Sequence, residues 1–97
     1  MTTEYTALQS LAQRLESECG TVCSLEEPFP MLDVSFRGQH FVVDYDNGAP
    51  FEPRKLYRVA NVTINYAFNM SGDPAFNTIQ EAEEYLRLEL ARVASHP

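Results

Sequence analysis

The chain has 97 residues, of which fourteen are Asp or Glu and seven are Lys or Arg, giving a formal charge of −7 and a pI near 4.6. One domain, residues 1–97, fits that length, with a core that needs no metal or disulfide, and 44% apolar residues exclude a disordered acidic tail. The acidic field opposes direct contact with nucleic acid or an anionic membrane, and the longest uncharged run, Val59 to Gly72, is too short to span a bilayer; a basic partner is left open.

The first predicted element is a helix over Thr3 to Cys19. Tyr5, Leu8, Leu11, Ala12, Leu15 and Cys19 recur at three- and four-residue spacing, which is one apolar stripe. Threonines at its start can cap it, and Gly20 is placed to end it. A short extended piece, Thr21 to Leu25, follows. Glu26-Glu27-Pro28-Phe29-Pro30 is then a loop stiffened by two prolines. Cys19 and Cys23 lack the further ligands a zinc site needs, so they read as small apolar residues flanking a turn. No basic stretch followed by an apolar one opens the chain, so the expected compartment is cytoplasmic and reducing.

Residues 31 to 46 alternate on either side of Gly38-Gln39, a two-residue link with glycine first that suits a type II′ hairpin. That turn sets Phe36 opposite Phe41, Val34 opposite Val43 and Leu32 opposite Tyr45, three apolar pairs on one face. On the other face it sets Arg37 against His40, Ser35 against Val42, Asp33 against Asp44, and Met31 beside Asp46. Two opposed aspartates cost about a few tenths of a kcal/mol, with no evident gain to folding.

Asp46-Asn47-Gly48 closes that strand, and Ala49-Pro50-Phe51-Glu52-Pro53 makes a second proline loop. A long strand is predicted over Leu56 to Asn69, with Val62, Ile64, Tyr66 and Phe68 on one side and Asn61, Thr63 and Asn65 on the other. Ser71-Gly72-Asp73-Pro74 reads as a turn. Thr78-Ile79-Gln80-Glu81 matches a capping box and opens a second helix, whose buried stripe is Ile79, Ala82, Leu86, Leu90 and Val93. The predicted fold class is α+β: an antiparallel sheet of three or four strands with two helices packed on its apolar face.

The chain carries few signs of catalysis. A calcium loop starting at Asp44 would need glycine and glutamate where Ala49 and Lys55 stand. Asp33 and Asp44 could be a catalytic acid pair, but no phosphate loop, Walker motif or nucleophile elbow accompanies them. We therefore expect no enzyme activity, no cofactor and no metal.

The acids on the helices have local reasons. Glu81, Glu83 and Glu84 favour the helix dipole, Glu83 can pair with Arg87 and Glu89 with Arg92, while Glu18 follows Arg14 by four. Six others do not: Glu26, Glu27, Asp33, Asp44, Asp46 and Glu52 lie on the proline loops and on the polar face of the hairpin. Neutralisation by Arg54-Lys55 and Arg58, or protection of a strand edge, competes with a reading of these six as a partner-binding surface. Carboxylates on a rigid scaffold can stand in for the phosphates that a DNA channel is built to hold.

From Met1-Thr-Thr-Glu-Tyr5 to Ala94-Ser-His-Pro97, and including Asp33-Val-Ser-Phe36 and Asp44-Tyr-Asp-Asn-Gly48, the chain resembles the small phage-encoded anti-CRISPR proteins. Within them it is similar to inhibitors of the type I-F surveillance complex that mimic double-stranded DNA. The resemblance implies a non-catalytic inhibitor acting in the bacterial host cytoplasm. Its partners would be the large PAM-reading subunit and the adjacent backbone subunit of the crRNA-guided complex, with no direct contact to nucleic acid or membrane. The other reading of the charge is an acidic inhibitor or immunity-type subunit covering a basic nuclease or other DNA-binding enzyme. A small enzyme or ligand carrier would need an apolar pocket with convergent polar groups.

Overall fold

The computed structural model describes residues 3–26, 31–46, 56–63 and 74–95. Helix α1 (Thr3–Cys19) buries Leu8, Leu11, Ala12 and Leu15, the stripe that the spacing predicts. Gly20, at φ +73°, ends it in the left-handed conformation that a side chain would strain. Helix α2 (Ile79–Ser95) buries Ala82, Leu86 and Leu90. Thr78 caps it: the Glu81 amide donates to Thr78 Oγ1 at 3.2 Å, and the Glu81 carboxylate turns back to accept from the Thr78 hydroxyl at 3.0 Å.

Between the helices run β1 (Val22–Glu26), β2 (Met31–Phe36), β3 (Gln39–Asp46), β4 (Leu56–Asn61) and the two-residue β5 (Ala75–Phe76). They pair in chain order as one antiparallel five-stranded sheet. The fold is α+β, with both helices on one face: α1 lies over β1 and β2, α2 over β4 and β5. The sheet is wider than the three or four strands expected, because β1 pairs along its whole length and Ala75–Phe76 adds an edge beyond β4. Such a short edge strand offers little backbone for unwanted pairing. The predicted continuation of the long strand through Ile64, Tyr66 and Phe68, and most of the Ser71–Pro74 turn, lie outside the described residues.

The hairpin differs from expectation by two residues. The turn is Arg37-Gly38, with φ of +50° and +82°, the pair of positive values that defines a type I′ turn. The pairs are therefore Val34 with Phe41, Leu32 with Val43, Ser35 with His40 and Asp33 with Val42. A slip of two keeps every side chain on its expected face, so the apolar side survives while its partners change. The observed register places Phe41 and Val43, both almost wholly buried, against Val34 and Leu32. It also avoids an Asp33–Asp44 opposition and aligns Asp44 with Arg58 on the next strand. Arg37 tolerates its left-handed backbone, with its guanidinium 5.3 Å over the Phe36 ring and donating to the Ala94 carbonyl at 3.5 Å.

The helices are joined by charge as well as by the core. Glu83 accepts from Arg14 at 2.7 and 3.2 Å and from Arg87 at 2.9 Å, and Arg87 reaches Glu18 at 3.3 Å. The Glu83–Arg87 and Glu89–Arg92 pairs expected from spacing are present. Arg14 serves α2 through Glu83, and Glu18 is held by Arg87, so the sequence-adjacent Arg14/Glu18 pairing gives way to bonds across the helix interface.

Candidate functional site

Because side chains alternate along each strand, the register determines which residues share the sheet face turned away from the helices. Three cross-strand rows result. The first runs Glu26, Met31, Asp44, Arg58, Ala75, and the second Ser24, Asp33, Val42, Ala60. The third runs Val22, Ser35, His40, extended by Val62, whose amide donates to the His40 carbonyl at 2.8 Å.

Of the six acidic residues singled out from sequence, Glu26, Asp33 and Asp44 are brought together on this face. Asp33 is diagonal to both others, so its Cα lies about 7–8 Å from each, and Glu26 and Asp44 are two strands or about 10 Å apart. Met31 stands between Glu26 and Asp44 on their shared row. The expected face-to-face pairing of Asp33 with Asp44 is not formed: Asp33 opposes Ser24 and Val42, while Asp44 opposes Met31 and Arg58. Asp44 also has an ionic partner, with its Oδ1 3.8 Å from Arg58 Nε. Asp46 ends β3 opposite Leu56, and its side chain lies outside the described residues, as do Glu27 and Glu52.

This face is not uniformly polar. Val42, Ala60 and Val62 form a second buried apolar cluster against which Met31 packs. Alternation along the long strand predicts Val62 on the apolar side that the helices cover. The register puts that side away from the helices, because Tyr57 and Val59 are the β4 residues that enter the main core. Val42, the one aliphatic residue among the polar positions of the hairpin, was the available signal for the second cluster.

Beside the cluster is a cavity of about 470 Å³, lined by Glu26, Met31, Asp33, His40, Phe41, Val42 and Val62. Burial pushes the Asp33 carboxyl above its ordinary value, and hydrogen bonding with Glu26 and the Glu26 charge push it further; His40 pulls the other way. Ser35 Oγ lies 3.0 Å from His40 Nδ1, and the His40 amide donates to Thr63 Oγ1 at 2.9 Å. A Ser–His–Asp relay would need an acid bonded to the other ring nitrogen, and the hydrogen bonds among the described residues contain none. The arrangement is fitted to accepting N–H donors: two carboxylates on a rim above an apolar floor.

The cysteines stand apart from this face. Both are free and half-buried; Arg87 Nη1 donates to Cys19 Sγ at 3.6 Å, and Thr21 Oγ1 lies 3.3 Å from Cys23 Sγ. Burial raises the Cys23 thiol above its ordinary value, which keeps it protonated. Among the described residues no group of three His, Cys, Asp or Glu side chains could hold a metal ion. No helix among them is long and apolar enough to cross a membrane. Compared with known proteins, the chain matches no family model, no curated protein and no solved structure.

Proposed function

We propose that the chain is a non-catalytic inhibitor that binds the crRNA-guided type I-F surveillance complex and keeps target DNA out by presenting carboxylates where the duplex would present phosphates. The observation that carries this reading is the gathering of Glu26, Asp33 and Asp44 on one rigid sheet face, within a chain of net charge −7. The resemblance to phage-encoded anti-CRISPR proteins supplies the identity of the target, namely its large PAM-reading subunit and the neighbouring backbone subunit. A DNA channel lined with Arg and Lys meets the acidic face with complementary potential, so association is fast and weakens as salt rises.

The closeness of the Glu26 and Asp33 carboxyls also suits a cationic partner. Two carboxylates held together against their mutual repulsion lower stability, and a cationic partner relieves that repulsion. The test is competition: the protein is added to purified surveillance complex with labelled target duplex. Displacement of the duplex is expected, with Glu26→Lys/Asp33→Lys raising the half-inhibitory concentration by more than about tenfold. Unchanged inhibition by that variant would remove this face from the interface, and absence of binding by the native chain would defeat the reading.

A further inference from the structure

We propose that the cavity beside Met31 seats a single arginine side chain of the basic partner, with its guanidinium between Glu26 and Asp33 and its aliphatic stem over Val42 and Val62. This deepens the reading of the sheet face as a contact for a basic protein and rests on it. The cavity, about 470 Å³, is roomy enough for a long side chain to enter. Its floor belongs to the second apolar cluster, where Val62 is 2% and Val42 5% exposed, with Met31 packed alongside. Such a floor receives a methylene stem and cannot by itself hold a charge.

The rim supplies the charge complement. Glu26 closes β1 and Asp33 lies diagonal to it on β2, so their carboxylates converge from adjacent strands over the cavity. Partial burial and the neighbouring Glu26 both disfavour the ionised form of Asp33, and a cation placed between them reverses that penalty. The other charged groups on this face are placed differently. His40 approaches from β3 and is engaged with Ser35, while Asp44 and Arg58 lie together on the far side of Met31. That Asp44–Arg58 contact is an internal example of the same pairing.

Arginine fits this seat better than lysine for two physical reasons. Its guanidinium is weakly hydrated, with a flat apolar face that can lie on Met31 and Val42, whereas an ammonium keeps a tight shell of water. Its fork of N–H donors can also engage two carboxylates at once, each bond charge-assisted.

The test uses the intact 97-residue protein and small probes, free of any partner. Backbone-amide and methyl NMR signals are followed during titration with N-acetyl-arginine amide, with the lysine analogue, and with the neutral isostere N-acetyl-citrulline amide. The arginine amide is expected to produce saturable shifts centred on Met31, Asp33, Val42 and Val62, with a Kd on the order of 1 mM. Citrulline should give no saturation, and lysine should bind at least about threefold more weakly. Glu26→Gln and Asp33→Asn should each weaken the arginine amide by about fivefold, with unchanged shifts at core Leu32 and Val43 showing that the register is intact. Equal response to citrulline, equal binding of lysine, or saturation centred elsewhere overturns the proposal. A protein that excludes duplex from the complex yet ignores the arginine amide loses this seat and keeps its function. One that takes the amide but does not bind the complex loses the proposed function and keeps the seat.

Discussion

Asp33→Asn separates the demands of folding from those of binding. In the native chain burial, and then Glu26 through its hydrogen bond and its charge, lift the Asp33 carboxyl above its ordinary value near 3.8, with His40 a smaller opposing influence. An acid with a raised native value holds its proton to higher pH than in the unfolded chain. Its contribution is therefore most favourable below about pH 3.8 and is lost as pH rises through the raised value; at neutral pH ionised Asp33 is a net cost. A like-charged diagonal pair on a sheet, partly desolvated, costs about 0.5–1 kcal/mol. Asparagine keeps the volume and removes the charge, so Asp33→Asn should raise the melting temperature at pH 7 by about 2–8 °C for a chain of this size. Thermal unfolding followed by circular dichroism at pH 7 and pH 3 measures it, and the gain should vanish at pH 3, where the native carboxyl is protonated. The same variant should bind the target complex less tightly. A lower melting temperature at pH 7, or a gain that persists at pH 3, would refute the reasoning.

Glu83 behaves in the opposite sense. Its side chain is 13% exposed and is clamped by two arginines, with the Arg14 hydrogen bonds the larger influence in holding its carboxyl below the usual 4.5 and Arg87 adding to it against the cost of burial. Glu83→Gln should destabilise by about 1–2 kcal/mol at pH 7, less than a fully buried pair because Arg14 is 40% exposed. That difference is present above pH 4.5 and fades as pH falls through the depressed value, which urea titrations at pH 7 and pH 3 would show. Gly38→Ala tests the hairpin turn: no heavy atom lies within 4 Å of an added Cβ, so its cost comes from the φ of +82° alone, about 1 kcal/mol in urea unfolding. Gly38→Asn should cost less, since asparagine tolerates that conformation, and equal losses for both would point away from the backbone.

Much of the fold was legible because it is encoded locally. The Leu8, Leu11, Leu15 stripe and the Thr78 cap each need only residues within a few positions; α1 begins and ends as expected, and α2 begins where its cap places it. The hairpin was legible in its faces but not in its pairs. Gly38-Gln39 and Arg37-Gly38 are both admissible two-residue turns, and alternation is identical under a slip of two. Three of the six acids, Glu26, Asp33 and Asp44, do share a face, although not through the opposition that drew attention to two of them. Val62 is expected on the apolar face that the helices cover but lies on the opposite one, because Tyr57 and Val59 are the β4 residues in the main core and alternation then turns Val62 away from it.

By itself, then, the sequence determined the helices, the alternation of the strands, the acidic excess and its concentration on the hairpin and its loops. These follow from short-range periodicity and from simple counting. Only the tertiary structure decided the register, the fifth strand, the Arg14–Glu83–Arg87 clamp across the helices, and the cavity where Glu26 and Asp33 meet an apolar floor. The fifth strand, the clamp and the cavity floor join residues far apart in the chain, while the hairpin register depends on which of two neighbouring turns lets Phe41 and Val43 bury in the core. Their energies depend on which distant partner excludes water from them, and no local pattern carries that information.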